Sequence, residues 1–193
     1  MSPFSYRTIS NWLAAGLLSV MFLLMIASVI GDSATTDEQA HIPAGYSYLS
    51  ERDYRLNPEH PPLIKDLSAV ITYFFLRPNF PTDAKAWTDD INGQWDMGRI
   101  FLYESGNNAG RILFASRLPM MLLAVVFGWL FFAWVRSHYG AKVALLALFF
   151  FSLSPTFIAH SRYVTTDVAA AFAFFIGIAT YAAFLERPTW PRT

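Results

Sequence analysis

The sequence predicts an all-α membrane protein, and three observations predict it. Of 193 residues, 54% are hydrophobic, 17% aromatic and only 15% charged, an oilier balance than a soluble domain of mixed surface carries. Four stretches are long enough to cross a bilayer, which takes roughly 17 to 25 apolar residues at helical rise. Basic residues gather at one set of ends of those stretches. The formal net charge is zero and there is no cysteine. Nothing therefore points to nucleic acid, disulfides and thiolate metal sites are removed, and any metal must rely on His and carboxylate ligands.

The four predicted spans are residues 12–30, 118–135, 141–158 and 168–185. The first has an apolar run longer than a signal peptide's core of about 7 to 15 residues, and no A-x-A site follows, so it reads as a retained anchor. Arg7 precedes it, Arg136 and Lys142 bracket the turn "RSHYGAK", and Arg187 and Arg192 follow the fourth span. These segments are expected in the cytoplasm, which makes the chain a multi-pass membrane protein with a cytoplasmic amino terminus. Arg162, in the short loop on the other side, runs against that bias.

Residues 31–110 then form a long outer segment, and a connection beyond roughly 12 to 15 residues generally does something. It carries more acid than base, so charge alone does not hold it on anionic headgroups. Hydrophobicity can. In "PPLIKDLSAVITYFFLRP" Leu63, Ile64, Leu67, Val70, Ile71, Phe74 and Phe75 recur at helical spacing. Pro62 suits the helix start and Pro78 its end, as for a helix lying in the membrane interface. A core helix of a small outer domain is the alternative, disfavoured here because the segment offers little else to bury it. A second helix is expected to start at the first T-T-D triplet, residues 35–37, with Ile42, Gly45, Tyr46 and Leu49 on one face, Glu38 and His41 on another, and a kink or restart at Pro43.

The triplet T-T-D occurs at both outer boundaries, ending at Asp37 and at Asp167. Capping can explain both: Thr35 with Glu38, or Thr36 with Gln39, fits a capping box, and Asp167 can cap the fourth span. Location favours more. Acids near bilayer depth are disfavoured and usually face a cavity or a partner. A carboxylate pair sharing a wet cavity could deprotonate or orient a nucleophile, an effect typically worth about 10²- to 10⁴-fold. A proton-coupled transporter or a non-catalytic scaffold subunit are the rival readings; a transporter more often buries its acids mid-span or breaks its helices there.

Three motifs in order, "GYSYLSERDYRLNPEHPPLIKDL", "GRIFLYESGNNAGRILFASRLPMMLL" and "LSPTFIAHSRYVTTDVAAAF", behind an Asp-Glu that opens the outer segment, resemble the amino-terminal part of bacterial protein O-mannosyltransferase-like enzymes of the GT-C superfamily. The resemblance implies a partial GT-C fold over residues 1–193, with interfacial helices in the outer segment. It implies an inverting glycosyltransferase that moves a sugar such as mannose from a polyprenyl-phosphate carrier to a protein, lipid or glycan acceptor on the outer side. Asp37 corresponds to the first catalytic acid, Glu38 to its neighbour and Asp167 to the second acid. Arg117 corresponds to the arginine that meets the donor phosphate, with Lys65 of "HPPLIK" a looser candidate for the same role. His41, His60 and Arg162 are candidates for orienting carboxylates or substrate. The resemblance fixes no cofactor and leaves a divalent metal open, since some relatives in the wider superfamily use one and others do not. Relatives have a larger bundle, so the chain is expected to be an amino-terminal fragment.

Overall fold

In a computed structural model the described residues are 3–90 and 92–186, with side chains from residue 7 onward. Arg187 and Arg192, used above for orientation, lie outside them. Among the described residues every regular element is helical. Three helices are long and apolar enough to cross a membrane: α1 (Pro3–Val29), α6 (Ala109–Tyr139) and α9 (Asp167–Glu186). Between α1 and α6 lie four shorter helices, α2 (Thr36–Ser50), α3 (Pro62–Ile71), α4 (Lys85–Thr88) and α5 (Gln94–Arg99). Helices α7 (Ala141–Ser152) and α8 (Pro155–Ser161) fill the stretch before α9.

The expected third span is broken. Helix α7 has 12 residues, about 18 Å at 1.5 Å per residue against a hydrocarbon core of about 30 Å. It meets α8 at 65°. The cause is local. Pro155 has no N–H to continue the ladder, and its ring would clash with the carbonyl one turn back. Ser154 then starts a new helix, its hydroxyl accepting from the Phe157 N–H at 3.3 Å.

The bundle core follows a helical stripe on α1, Ala14, Leu18, Met21, Met25 and Val29, packed on Met121, Ala124 and Phe127 of α6 and on Ala144 and Leu148 of α7. Gly128 makes the close approach feasible: a Cβ there would stand 2.5 Å from a Leu18 methyl and 3.0 Å from the Phe151 ring. At one end Arg136 donates to Asn11, tying the end of α6 to the start of α1. At the opposite end Arg162 pairs with Asp32, tying the α8–α9 connection to the end of α1. That pairing accounts for an arginine on the side the basic bias disfavours.

The segment between α1 and α6 caps this second end and has a core of its own, contrary to the expectation that it had little to bury. Helix α2 runs through its centre without interruption and is buried from Ala40 to Tyr48 on every face. The expected break at Pro43 does not occur. Pro43 leaves the Gln39 carbonyl without its helical partner, and Gly98 of α5 packs directly on that oxygen; a Cβ at 98 would lie 1.9 Å from it. Gly45 similarly admits the Lys65 carbonyl of α3. Helix α3 is amphipathic in an inverted sense. Lys65, Ser68 and Ala69 face the protein, whereas Leu63 (73% exposed), Val70, Phe74 and Phe75 (80% exposed) face outward along α3 and the π-helical turn Thr72–Leu76 that follows. An apolar outer face beside three membrane-length helices suits a helix resting on the membrane interface.

Candidate functional site

The capped end gathers both T-T-D boundaries. At the first, Thr35 caps α2 and Glu38 completes the capping box, with the Glu38 carboxylate accepting from the Thr35 N–H at 2.9 Å. The same carboxylate is fully buried and takes a fork from Arg117 of α6: Nε to Oε1 and Nη2 to Oε2, both at 2.7 Å. The Val164 N–H adds a bond to Oε1 at 3.2 Å. One carboxylate thus joins α2, α6 and the α8–α9 connection. Arg117, 1% exposed, also donates to the Ser33 carbonyl at 2.9 Å and lies under the Tyr163 ring, which Arg162 covers too. A buried ion pair repays desolvation only when its remaining polar atoms are satisfied. Here they are, through bidentate geometry that arginine supplies and lysine does not.

One turn along α2, the His41 Nδ1 bonds the Val164 carbonyl at 2.9 Å. Val164 is therefore held at both its N–H and its C=O by side chains of one helical turn, three residues before Asp167. Burial pushes the His41 imidazole below its ordinary value of 6.5, opposed by the Val164 bond and assisted by nearby His60. The His41 and His60 rings meet edge to face at 5.3 Å.

The two aspartates themselves are exposed. Asp37 sits on the turn that Glu38 and His41 pin down, and among the described residues its carboxylate makes no hydrogen bond or ion pair. Asp167 begins α9 and bonds His160 Nδ1 at 3.1 Å. The capping explanation is thus fulfilled by Thr35 and Glu38 and not by Asp37.

Lys65 lies elsewhere than expected of a phosphate ligand. Its Nζ is buried and donates to the Tyr48 hydroxyl at 2.7 Å and to the Asn57 and His60 carbonyls at 2.6 and 2.9 Å, with Asn57 Oδ1 at 3.0 Å. Burial lowers the ammonium to about 8, against the attraction of Glu59 and Asp66. Asn57, in the left-handed region that asparagine tolerates (φ +50°), continues the network through Gln94 to Glu59. Lys65 thereby fixes the 57–60 loop that carries His60.

A cavity of about 360 Å³ opens between the end of α1 and the start of α6. Val29, Ile30, Leu113 and Phe114 form its apolar walls, and Asp32, Ser33, Tyr103 and Arg117 its polar ones. Among the described residues no group of three or more His, Cys, Asp or Glu side chains is placed to hold a metal ion.

Residues 108–191 match the family model of dolichyl-phosphate-mannose-protein mannosyltransferases. No curated protein and no solved structure matches the chain. The mannosyltransferase match begins at the Asn108 cap of α6 and takes in Arg117, His160, Arg162 and Asp167; Asp37, Glu38, His41, His60 and Lys65 precede it. It points to a membrane glycosyltransferase of the GT-C type. The Glu38–Arg117 fork and the two bonds to Val164 join the unmatched residues to the matched ones.

Sequence reading missed Asp32, Tyr48, Asn57, Gln94 and Tyr163 as parts of this site. Asn57 and Gln94 carried no signal beyond their polarity, and Val164 contributes only backbone.

Proposed function

We propose that the chain is the amino-terminal catalytic part of a membrane glycosyltransferase that moves a sugar, such as mannose, from a polyprenyl-phosphate carrier to an acceptor hydroxyl or amine at the capped end of the bundle. The observation that carries this reading is Asp37, an exposed carboxylate with no hydrogen bond or ion pair among the described residues, on a turn fixed by the Glu38–Arg117 fork and by His41. A base so placed on a rigid support is available to a substrate. In the proposed step Asp37 takes the acceptor proton as that atom attacks the anomeric carbon from the face opposite the phosphate. The carbon–oxygen bond to the phosphate breaks, the electron pair leaves with the phosphate, and the sugar is inverted. Asp167 orients the acceptor or sugar from the neighbouring boundary.

The cavity between α1 and α6 is where we place the donor lipid, because an apolar wall continuous with the bundle there meets Asp32, Ser33, Tyr103 and the edge of Arg117, whose guanidinium is itself committed to Glu38 and the Ser33 carbonyl. Lys65 is left out of phosphate binding, since its three protons are already spent inside the protein. Glu38 and Arg117 act chiefly on position: they hold the Asp37 turn against α6 and Val164. A protein acceptor and a location in the plasma membrane, with the capped end outside, complete the proposal.

The test is Asp37→Asn in the full-length protein, with consumption of a polyprenyl-phosphate sugar followed in membranes. The expected loss is about 10²- to 10⁴-fold, without a change in abundance. Undiminished transfer would rule out the base. Loss of ion or solute flux with no glycosyl product in the wild type would favour a transporter.

A further inference from the structure

Three observations meet at the second boundary. The Ser154–Pro155 break turns α8 through 65° from α7, and this direction brings His160, in the last turn of α8, to the first residue of α9. There its Nδ1 stands 3.1 Å from Asp167 Oδ2, with both side chains more than half exposed. Behind the pair is a cavity of about 10 Å³, bordered by His160, Ser161, Tyr163 and Thr165, room for roughly one water. Ser161 Oγ and Thr165 Oγ1, which border it, are buried with no partner among the described residues. Val164, between those two hydroxyl residues in the chain and three residues before Asp167, is the residue clamped by Glu38 and His41.

We infer that His160 is a positioning residue for Asp167. Its Nδ1–H donates to the carboxylate and fixes the direction in which Asp167 faces its substrate, while Nε2 points away from that bond. The broken third helix then has a purpose. A straight helix through residue 161 would carry His160 onward along the α7 axis, whereas the bend returns it to the start of α9. The two orphaned hydroxyls give the 160–167 turn a place for a bridging water. This inference rests on the proposed transferase reading only for what Asp167 does with its fixed direction; the His160–Asp167 bond itself does not depend on it.

The experiment has two arms. In the first, full-length protein carrying His160→Ala, His160→Asn or His160→Gln is given polyprenyl-phosphate mannose in membranes that supply the acceptor. Asparagine places an amide donor near the Nδ1 position, and glutamine places one near Nε2. A positioning role predicts a fall of about tenfold in kcat for the alanine variant, on the scale of one lost hydrogen bond. KM for the donor should be little changed, with recovery in the asparagine variant and none in the glutamine variant. Full activity in the alanine variant, or rescue by glutamine and not asparagine, would overturn the inference. The asparagine–glutamine contrast still decides if the alanine variant accumulates poorly. In the second arm, ¹⁵N-histidine spectra of the membrane-embedded wild type are compared with Asp167→Asn, His160→Asn assigning the signal. Loss of the Nδ1-protonated tautomer of His160 in Asp167→Asn is expected, and an unchanged signal would contradict the bond. A wild type that transfers no sugar but shows the tautomer change would sink the transferase reading and leave the pairing standing.

Discussion

The two T-T-D boundaries share three residues and differ in the fourth, and the fourth decides how each is held. After Asp37 comes Glu38, which goes inside and takes Arg117, Thr35 and Val164. After Asp167 comes Val168, which also goes inside, into the apolar core of the bundle. In both cases the residue that follows the aspartate anchors the helix start and leaves the aspartate outside. The first anchor is ionic and reaches across the fold; the second is hydrophobic and local. A buried ion pair is costly to break from one side, whereas an apolar anchor fails by the smaller measure of lost contact area. The first boundary is therefore the more brittle, and the second relies on the first through Val164.

Breaking the ionic anchor should give the largest effect. Glu38→Ala strands Arg117 in the interior, and loss of one partner of a buried pair costs about 3 to 5 kcal/mol. Thermal unfolding in detergent should show a large drop for Glu38→Ala and a smaller one, about 1 to 2.5 kcal/mol, for Val168→Ala, which removes two buried methyl groups. Equal losses would mean that the two anchors do not differ in kind.

The support beneath the first boundary gives the next effect. Gly98→Ala would drive a methyl into the Gln39 carbonyl, which is backbone of α2 and cannot swing aside. Overpacking of this sort typically costs about 1 to 3 kcal/mol. Asp37 activity should fall with it, because the α2 turn shifts. An alanine at 98 with wild-type stability would show that α5 does not press on α2.

A smaller effect is expected from pH. The folded His41 binds its proton less readily than the unfolded histidine, since burial disfavours the imidazolium. Between the two values the unfolded chain carries more protons, so stability rises with pH there. It is complete above about 6.5 and is lost as the pH falls below that value. The His41→Gln variant should show a flatter loss between pH 7 and 5 than the wild type. Parallel slopes would place the acid sensitivity on another histidine.

Much of this was legible in the sequence, and the parts that were not have physical reasons. Three apolar runs gave α1, α6 and α9 because a membrane-length hydrophobic stretch has few other solutions. The capping box at Thr35 and Glu38 was also readable, being local. The break in α7 carried its signal in Ser154–Pro155, yet uniform hydropathy across residues 141–158 outweighed it. Pro43 misled in the opposite direction: α2 runs straight through it, and the Gln39 carbonyl it leaves without a helical partner lies against Gly98, 55 residues beyond the proline, a tertiary contact that no local rule contains. The Glu38–Arg117 fork joins residues 79 apart, and its third member is a backbone amide. Composition could suggest that the acids needed partners, not which ones.

The central claim is that the lock through Glu38, Arg117 and Val164 brings the carboxylates of 37 and 167 to one face of the membrane and near each other. The chain contains no cysteine, so the most direct measurement is the pair Asp37→Cys and Asp167→Cys in membrane-embedded protein. The lock predicts that a membrane-impermeant maleimide labels both from the same side, and that a short bifunctional thiol reagent bridges them in the double variant. Labelling from opposite sides, no bridging in the double variant, or bridging that Glu38→Ala leaves unchanged would contradict it.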